Sequence, residues 1–123
     1  MVQFAKLDTA IGLEDQLGED DAPVVLVNVF TVDPDEAEGV IEAWTNDATL
    51  MKRQPGFIST QLHRGIGKSA TFMNYAVWES VAAFKAAFES PEFQSQIAAY
   101  PSSAVSRPHL FRKLAVPGIC VAG

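Results

Sequence analysis

The sequence predicts an α+β domain of the ferredoxin-like kind, an antiparallel sheet with helices on one face. Three observations carry that reading. Along Thr71–Phe84 the hydrophobic period changes: aromatic and β-branched residues run to Trp78, and from Ser80 onward Val81, Phe84 and Phe88 recur at helical spacing behind a capping serine. The run Val24–Val32 is almost continuously apolar and β-branched, as a strand covered on both faces requires, and Asp33-Pro34 ends it at the start of a helix. Read through, the elements follow the order β-α-β-β-α-(α)-β, the split βαβ pattern.

Each element has its own warrant. Residues 1–22 mix a short apolar pattern (Phe4, Leu7, Ile11, Leu17) with acidic clusters, and read as an extension with one or two helical turns, packed weakly or onto a partner. The domain proper is expected over 23–116. After Asp33 as N-cap, with Glu36 three residues on, Ala37, Val40, Ile41, Trp44, Ala48 and Met51 form one apolar stripe opposite Glu38, Glu42, Asn46 and Lys52. Pro55-Gly56 stops that helix. Phe57–Arg64 alternates as a strand, Gly65–Ser69 is a hairpin, and Thr71–Trp78 is the next strand. Ser90-Pro91-Glu92 opens a third short helix reaching Tyr100, Pro101–Pro108 is a loop, Leu110–Val116 is the last strand, and 117–123 is an apolar tail.

Composition narrows the function. A net charge of −6 with no basic stripe argues against nucleic-acid and anionic-membrane partners. No apolar run approaches the roughly 20 residues a membrane helix needs, and Met1–Pro23 lacks the pattern of a secretory signal. The single cysteine, Cys120, makes no internal disulfide or thiolate metal site and is expected to be a buried free thiol. A cytoplasmic protein is the expectation. One face of the sheet would present Val25, Val27, Val29, Met73, Tyr75 and Val77, more apolar area than a soluble monomer exposes. A homodimer burying sheet against sheet follows.

With these residues in place, the chain resembles the antibiotic biosynthesis monooxygenase family over about Val24–Leu114. The resemblance rests on Asn-Val-Phe-Thr-Val at 28–32, Gln-Pro-Gly-Phe at 54–57, Tyr-Ala-Val-Trp-Glu-Ser at 75–80, Ala83-Phe84 and Ser90-Pro91-Glu92-Phe93. It implies a dimeric α+β barrel. It also implies a site: family members that oxygenate polyketide anthrones without a cofactor use an asparagine on the first strand and a tryptophan at the end of the third, and Asn28 and Trp78 match those places. Heme-degrading relatives of the same fold add an iron-binding histidine on the helix after the tryptophan. The matching stretch here, Phe93–Tyr100, contains none, which disfavours that alternative.

The chemistry suits these residues. Triplet dioxygen reacts slowly with closed-shell molecules unless they give up an electron, and a deprotonated phenol, quinol or anthrone is such a donor. No cofactor is then needed. The protein has to stabilise the developing oxyanion and exclude water. An Asn28 amide and a Trp78 indole N–H, in a pocket walled by Phe30, Trp44, Phe72 and Phe84 with Asn74 as a lining residue, serve both ends. The same residues also fit a packed core indole and a satisfied buried amide, so a non-catalytic, small-ligand-binding dimer stands beside the enzyme reading. His63 and His109 lie far apart without a Glu or Cys at ligand spacing and make no metal motif.

Overall fold

A computed structural model describes residues 2–123 of the chain. In chain order the main elements are β1 (Gln3–Phe4), α1 (Leu13–Gln16), β2 (Val24–Thr31), α2 (Ala37–Met51), β3 (Phe57–Arg64), β4 (Thr71–Trp78), α3 (Val81–Phe88), α4 (Pro91–Gln96) and β5 (Val105–Phe111). The strands form one mixed sheet in the order β1-β5-β2-β4-β3, antiparallel throughout except for the parallel pair β1–β5. The fold class is the one the sequence predicts, α+β and ferredoxin-like, with one strand more. Among the described residues no helix is long and apolar enough to cross a membrane.

The helix starts follow local chemistry. Ser80 accepts from the Ala83 N–H at 3.0 Å and Ser90 from the Phe93 N–H at 3.2 Å, the latter with Pro91 in the first turn. Asp33 behaves differently. It makes no side-chain cap, and Pro34–Glu36 is a single 3₁₀ turn leading into α2. Ser103 takes over the junction: its Oγ accepts from the Asp33 N–H at 3.1 Å and donates to Glu36 Oε1 at 2.6 Å. Gly56, at φ +86°, brings the α2–β3 turn against α3; a Cβ there would lie 2.3 Å from the Ala83 Cβ.

Residues 2–22 are mostly exposed, in keeping with a weakly packed extension, but they are anchored at a few points. Gln3 and Ala5 donate to the carbonyls of Ala104 and Ser106, both at 2.9 Å, and Val2 sits in the core. Where β1 ends, the Gln16 side chain continues its work: Oε1 accepts from the Leu110 N–H at 2.9 Å and Nε2 donates to the Leu110 carbonyl at 2.9 Å. The last strand is Val105–Phe111, not Leu110–Val116, and the stretch read as a loop over Pro101–Pro108 supplies half of it. Pro108 is tolerated because the outward N–H positions of β5 are the even ones, and its own falls between Ser106, paired with β1, and Leu110, paired with Gln16. Beyond Phe111 the chain is exposed, Cys120 included, so the buried thiol expected there is an exposed one.

The core lies between the sheet and the helices, in two parts. One contains Phe30, Phe72, Val40, Ala43 and Tyr100; the other contains Leu26, Ala76, Trp78, Phe84 and Leu110. On α2 the buried line runs Val40, Ala43, Asp47, Leu50, with Ile41, Trp44, Ala48 and Met51 half-buried at its flank. The inward face is thus rotated by about one residue from the apolar stripe, and it carries a carboxylate.

Candidate active site

Alternation along a strand sends Leu26, Asn28 and Phe30 of β2 to the helix side, together with Phe72, Asn74, Ala76 and Trp78 of β4. Asn28 and Asn74 are direct cross-strand partners. They stand between the two halves of the core, and with Ser106 and Thr60 they make a polar row across the sheet. The row is ordered by its hydroxyls. Ser106 Oγ donates to Asn28 Oδ1 at 2.8 Å, and Thr60 Oγ1 donates to Asn74 Oδ1 at 2.5 Å. With both amide oxygens taken, each side chain has its NH₂ left to offer.

Trp78 closes one end. It is 1% exposed, held edge-on between Phe57 and Phe84 with ring centroids at 5.4 and 5.7 Å, and its Nε1 has no hydrogen-bond partner. An orphaned buried donor of this kind costs about 1–3 kcal/mol. Packing alone would not select an indole here.

A second polar pair lines the same space. The Tyr100 hydroxyl donates to Asp47 Oδ2 at 2.6 Å, while Asp47 Oδ1 has no partner. Tyr100 is fixed by stacking on Phe30, with centroids at 5.6 Å and planes 9° apart. Burial pushes the Asp47 carboxyl up to about 6, against the opposing pull of the Tyr100 hydrogen bond. Burial, and then the neighbouring carboxylate, push the Tyr100 phenol well above its ordinary range, so it stays a neutral donor.

These groups line one cleft between sheet and helices, about 670 Å³ of space free of protein atoms with its mouth included. Its apolar walls include Phe30, Trp44, Met51, Phe57, Phe84 and Phe93, and its polar groups are Asn28, Asp47, Thr60, Asn74, Trp78, Tyr100 and Ser106.

Of the residues singled out from sequence, Asn28, Trp78, Phe30, Trp44, Asn74 and Phe84 line this cleft. Phe72 does not: it is packed into the first core cluster, with the Arg64 guanidinium 5.1 Å from its ring centroid. His63 is exposed on β3. His109 pairs with Val27 on the outer face of the sheet, where its Nε2 lies 3.1 Å from Gln16 Nε2. Neither histidine lines the cleft. Asp47, Tyr100, Thr60 and Ser106 escaped the sequence reading. Asp47 had a signal, the i, i+3, i+7, i+10 row of Val40, Ala43, Asp47 and Leu50; Ser106 was hidden in the supposed loop.

The sequence model of the antibiotic biosynthesis monooxygenase family matches residues 23–99. Deoxynogalonate monooxygenase of Streptomyces nogalater is 35% identical over 96 residues, covering 76% of this chain and 79% of that protein. The crystal structure of SnoaB, a cofactor-independent oxygenase from Streptomyces nogalater, is 31% identical with a TM-score of 0.67, over 80% of this chain and 99% of that one. A structure from Shewanella loihica is 33% identical with a TM-score of 0.67, over 80% and 100%.

The raised Asp47 carboxyl has a measurable consequence. Its ionisation is harder in the folded chain than in the unfolded one, so wild-type stability falls as pH rises from the ordinary carboxyl value of 3.8 to about 6. Asp47→Asn removes that penalty and leaves an acceptor for Tyr100. Each pH unit between the two values is worth about 1.4 kcal/mol, so the variant is expected to be more stable than wild type at pH 7 by on the order of 2–3 kcal/mol. Denaturant titrations at several pH values check it: the gain should vanish below pH about 4, and a variant no more stable at pH 7 contradicts the assignment.

Proposed function

This chain belongs to the antibiotic biosynthesis monooxygenase family, and within it we propose a cofactor-independent monooxygenase acting on an electron-rich phenolic, quinol or anthrone-type aromatic. The observation that carries the reading is the set of N–H donors on the cleft wall, the amides of Asn28 and Asn74 and the indole of Trp78. Hydroxyls hold both amide oxygens, and Trp78 Nε1 has no partner in the protein. Donors fixed in a water-poor cleft stabilise an oxyanion without having to reorganise. Asn74 joins Asn28 and Trp78 in that role, as an oxyanion donor rather than a mere lining residue.

The aromatic lining favours a flat ligand. An aromatic ring system is little thicker than a water molecule, and its faces would lie between Phe30, Trp44, Phe57 and Phe84. The substrate's electrons go to dioxygen, and the aromatic walls keep bulk water from the intermediates. The cofactor-independent oxygenase of Streptomyces nogalater is a relative whose chemistry accords with this. The heme alternative draws less support from the donor set. Among the described residues that line the cleft, none is a histidine or cysteine, and the Tyr100 phenol is committed to Asp47 and kept neutral.

We also propose that a second copy covers the outer face of the sheet, completing a dimeric α+β barrel. Tyr75 there is 41% exposed and Phe111 42%, beside half-buried Val27, Val29, Met73 and Val77. Sedimentation at micromolar concentration should give twice the 13.3 kDa chain mass, and Val27→Asp should shift it to monomer or unfold it. A wild-type protein that sediments only as monomer sinks this part.

The site is tested by oxygen uptake with metal-free, flavin-free protein and a panel of phenolic polycycles. Asn28→Leu and Trp78→Phe should each lower turnover by about 10²-fold or more, the scale of one oxyanion donor. Stability should change far less. Asn28→Leu removes a half-buried amide but strands the Ser106 hydroxyl, and Trp78→Phe exchanges lost packing against a removed orphan, so each should stay within about 2 kcal/mol of wild type. Full activity in both variants would refute the site; an inert wild type across the panel would favour a ligand-binding protein.

A further inference from the structure

Asparagine and tryptophan side chains do not take up a proton, so the proposed reaction still needs an acceptor for the one the substrate gives up. Resting on that reading, we infer that Asp47 is the general base, its Oδ1 removing the proton while Tyr100 holds Oδ2. The geometry is specific. Asp47 is a buried carboxylate lining the same cleft as the amide row, with one oxygen occupied at 2.6 Å and the other unpartnered. No apolar or packing role calls for a charge on the inward line of α2. The Tyr100 hydrogen bond, with Tyr100 itself fixed by its stack on Phe30, sets the plane of the carboxylate and leaves Oδ1 without a partner in the protein.

The elements around it offer no competing base. The sheet presents Asn28, Thr60, Asn74 and Ser106 to the cleft, and α3 and α4 present phenylalanines. Among the described residues lining it, Asp47 and Tyr100 alone are titratable. A carboxyl raised to about 6 is also well matched to proton transfer near neutral pH.

The steps balance. Asp47 Oδ1 takes a proton from an anthrone methylene, and the electron pair of the C–H bond passes into the ring system as an enolate held by the N–H donors. The enolate carbon bonds to dioxygen, giving a peroxide anion, which receives the proton from Asp47. Loss of the second methylene proton to Asp47 then breaks the O–O bond: the carbon becomes a carbonyl, the proximal oxygen stays, and the distal oxygen leaves as hydroxide and takes that proton to become water. Substrate is oxidised by two electron pairs, dioxygen is fully reduced, and Asp47 ends as it began. Tyr100 is a positioning residue.

Deprotonation is separable from oxygenation, which gives the test. Under nitrogen, exchange of anthrone methylene hydrogens with D₂O is followed by NMR for wild type, Asp47→Asn and Tyr100→Phe, with oxygen uptake measured in parallel and circular dichroism as a check on folding. Wild type should exchange above the buffer rate, and Asp47→Asn should lose about 10²-fold or more of it. Tyr100→Phe should move the acid limb of the exchange rate to higher pH, because the hydrogen bond it loses is one that lowers the carboxyl. Folded Asp47→Asn that exchanges like wild type overturns the inference even if oxygen uptake persists, and so does a wild type that takes up oxygen without catalysing exchange. Exchange without oxygen uptake would keep the base and remove the oxygenase reading, whereas a wild type that does neither removes both.

Discussion

The cross-strand contact of Asn28 with Asn74 is the constraint on which the rest of the structure turns. Two primary amides face each other near the middle of a sheet whose flanking positions are Leu26, Phe30, Phe72 and Ala76. Apolar side chains there would fuse the two halves of the core into one. The amides instead require hydroxyls, which Ser106 and Thr60 supply from the neighbouring strands, and the row they form cannot be covered closely by phenylalanine rings. A cleft opens where the core is interrupted.

These polar groups work against stability. An unpartnered Trp78 N–H, an unpartnered Asp47 oxygen and a carboxyl held well above its ordinary range are each unfavourable in a folded chain. The remainder of the molecule compensates. The first strand and Gln16 finish the edge of β5, serines cap α3 and α4, and aromatic rings fix both Trp78 and Tyr100. That arrangement, local strain on a well-satisfied frame, is what a site prepared for a ligand looks like.

Elements with strong local signals were legible in the sequence: the β-branched run at β2, the change of period after Trp78, and the Ser-Pro start of α4. Asn28 and Trp78 were legible for the same reason, one as a lone amide in an apolar strand and the other as an indole at a strand end. Elements that depend on distant partners were not. Pro108 looks like a strand breaker until β1 and Gln16 are seen to occupy the positions on either side of it. Asp47 looks like a solvated helix residue until α2 is found turned by about one residue from its apolar stripe. Phe72 shares the parity of Asn74 yet belongs to the core, because a strand's parity gives the face and not the depth along it.

Whether the unpartnered indole N–H of Trp78 takes up an acceptor when a ligand binds is open to direct observation. The chain has two tryptophans, so a ¹⁵N-labelled sample gives two indole signals, with Trp44→Phe identifying the one from Trp78. Titration with an unreactive hydroxyanthraquinone, an oxidised and oxygen-stable analogue of the substrate class, should move the Trp78 N–H signal downfield as it acquires an acceptor. A ligand that binds with the Trp78 signal unmoved, or that shifts Trp44 alone, would rule out Trp78 as an oxyanion donor.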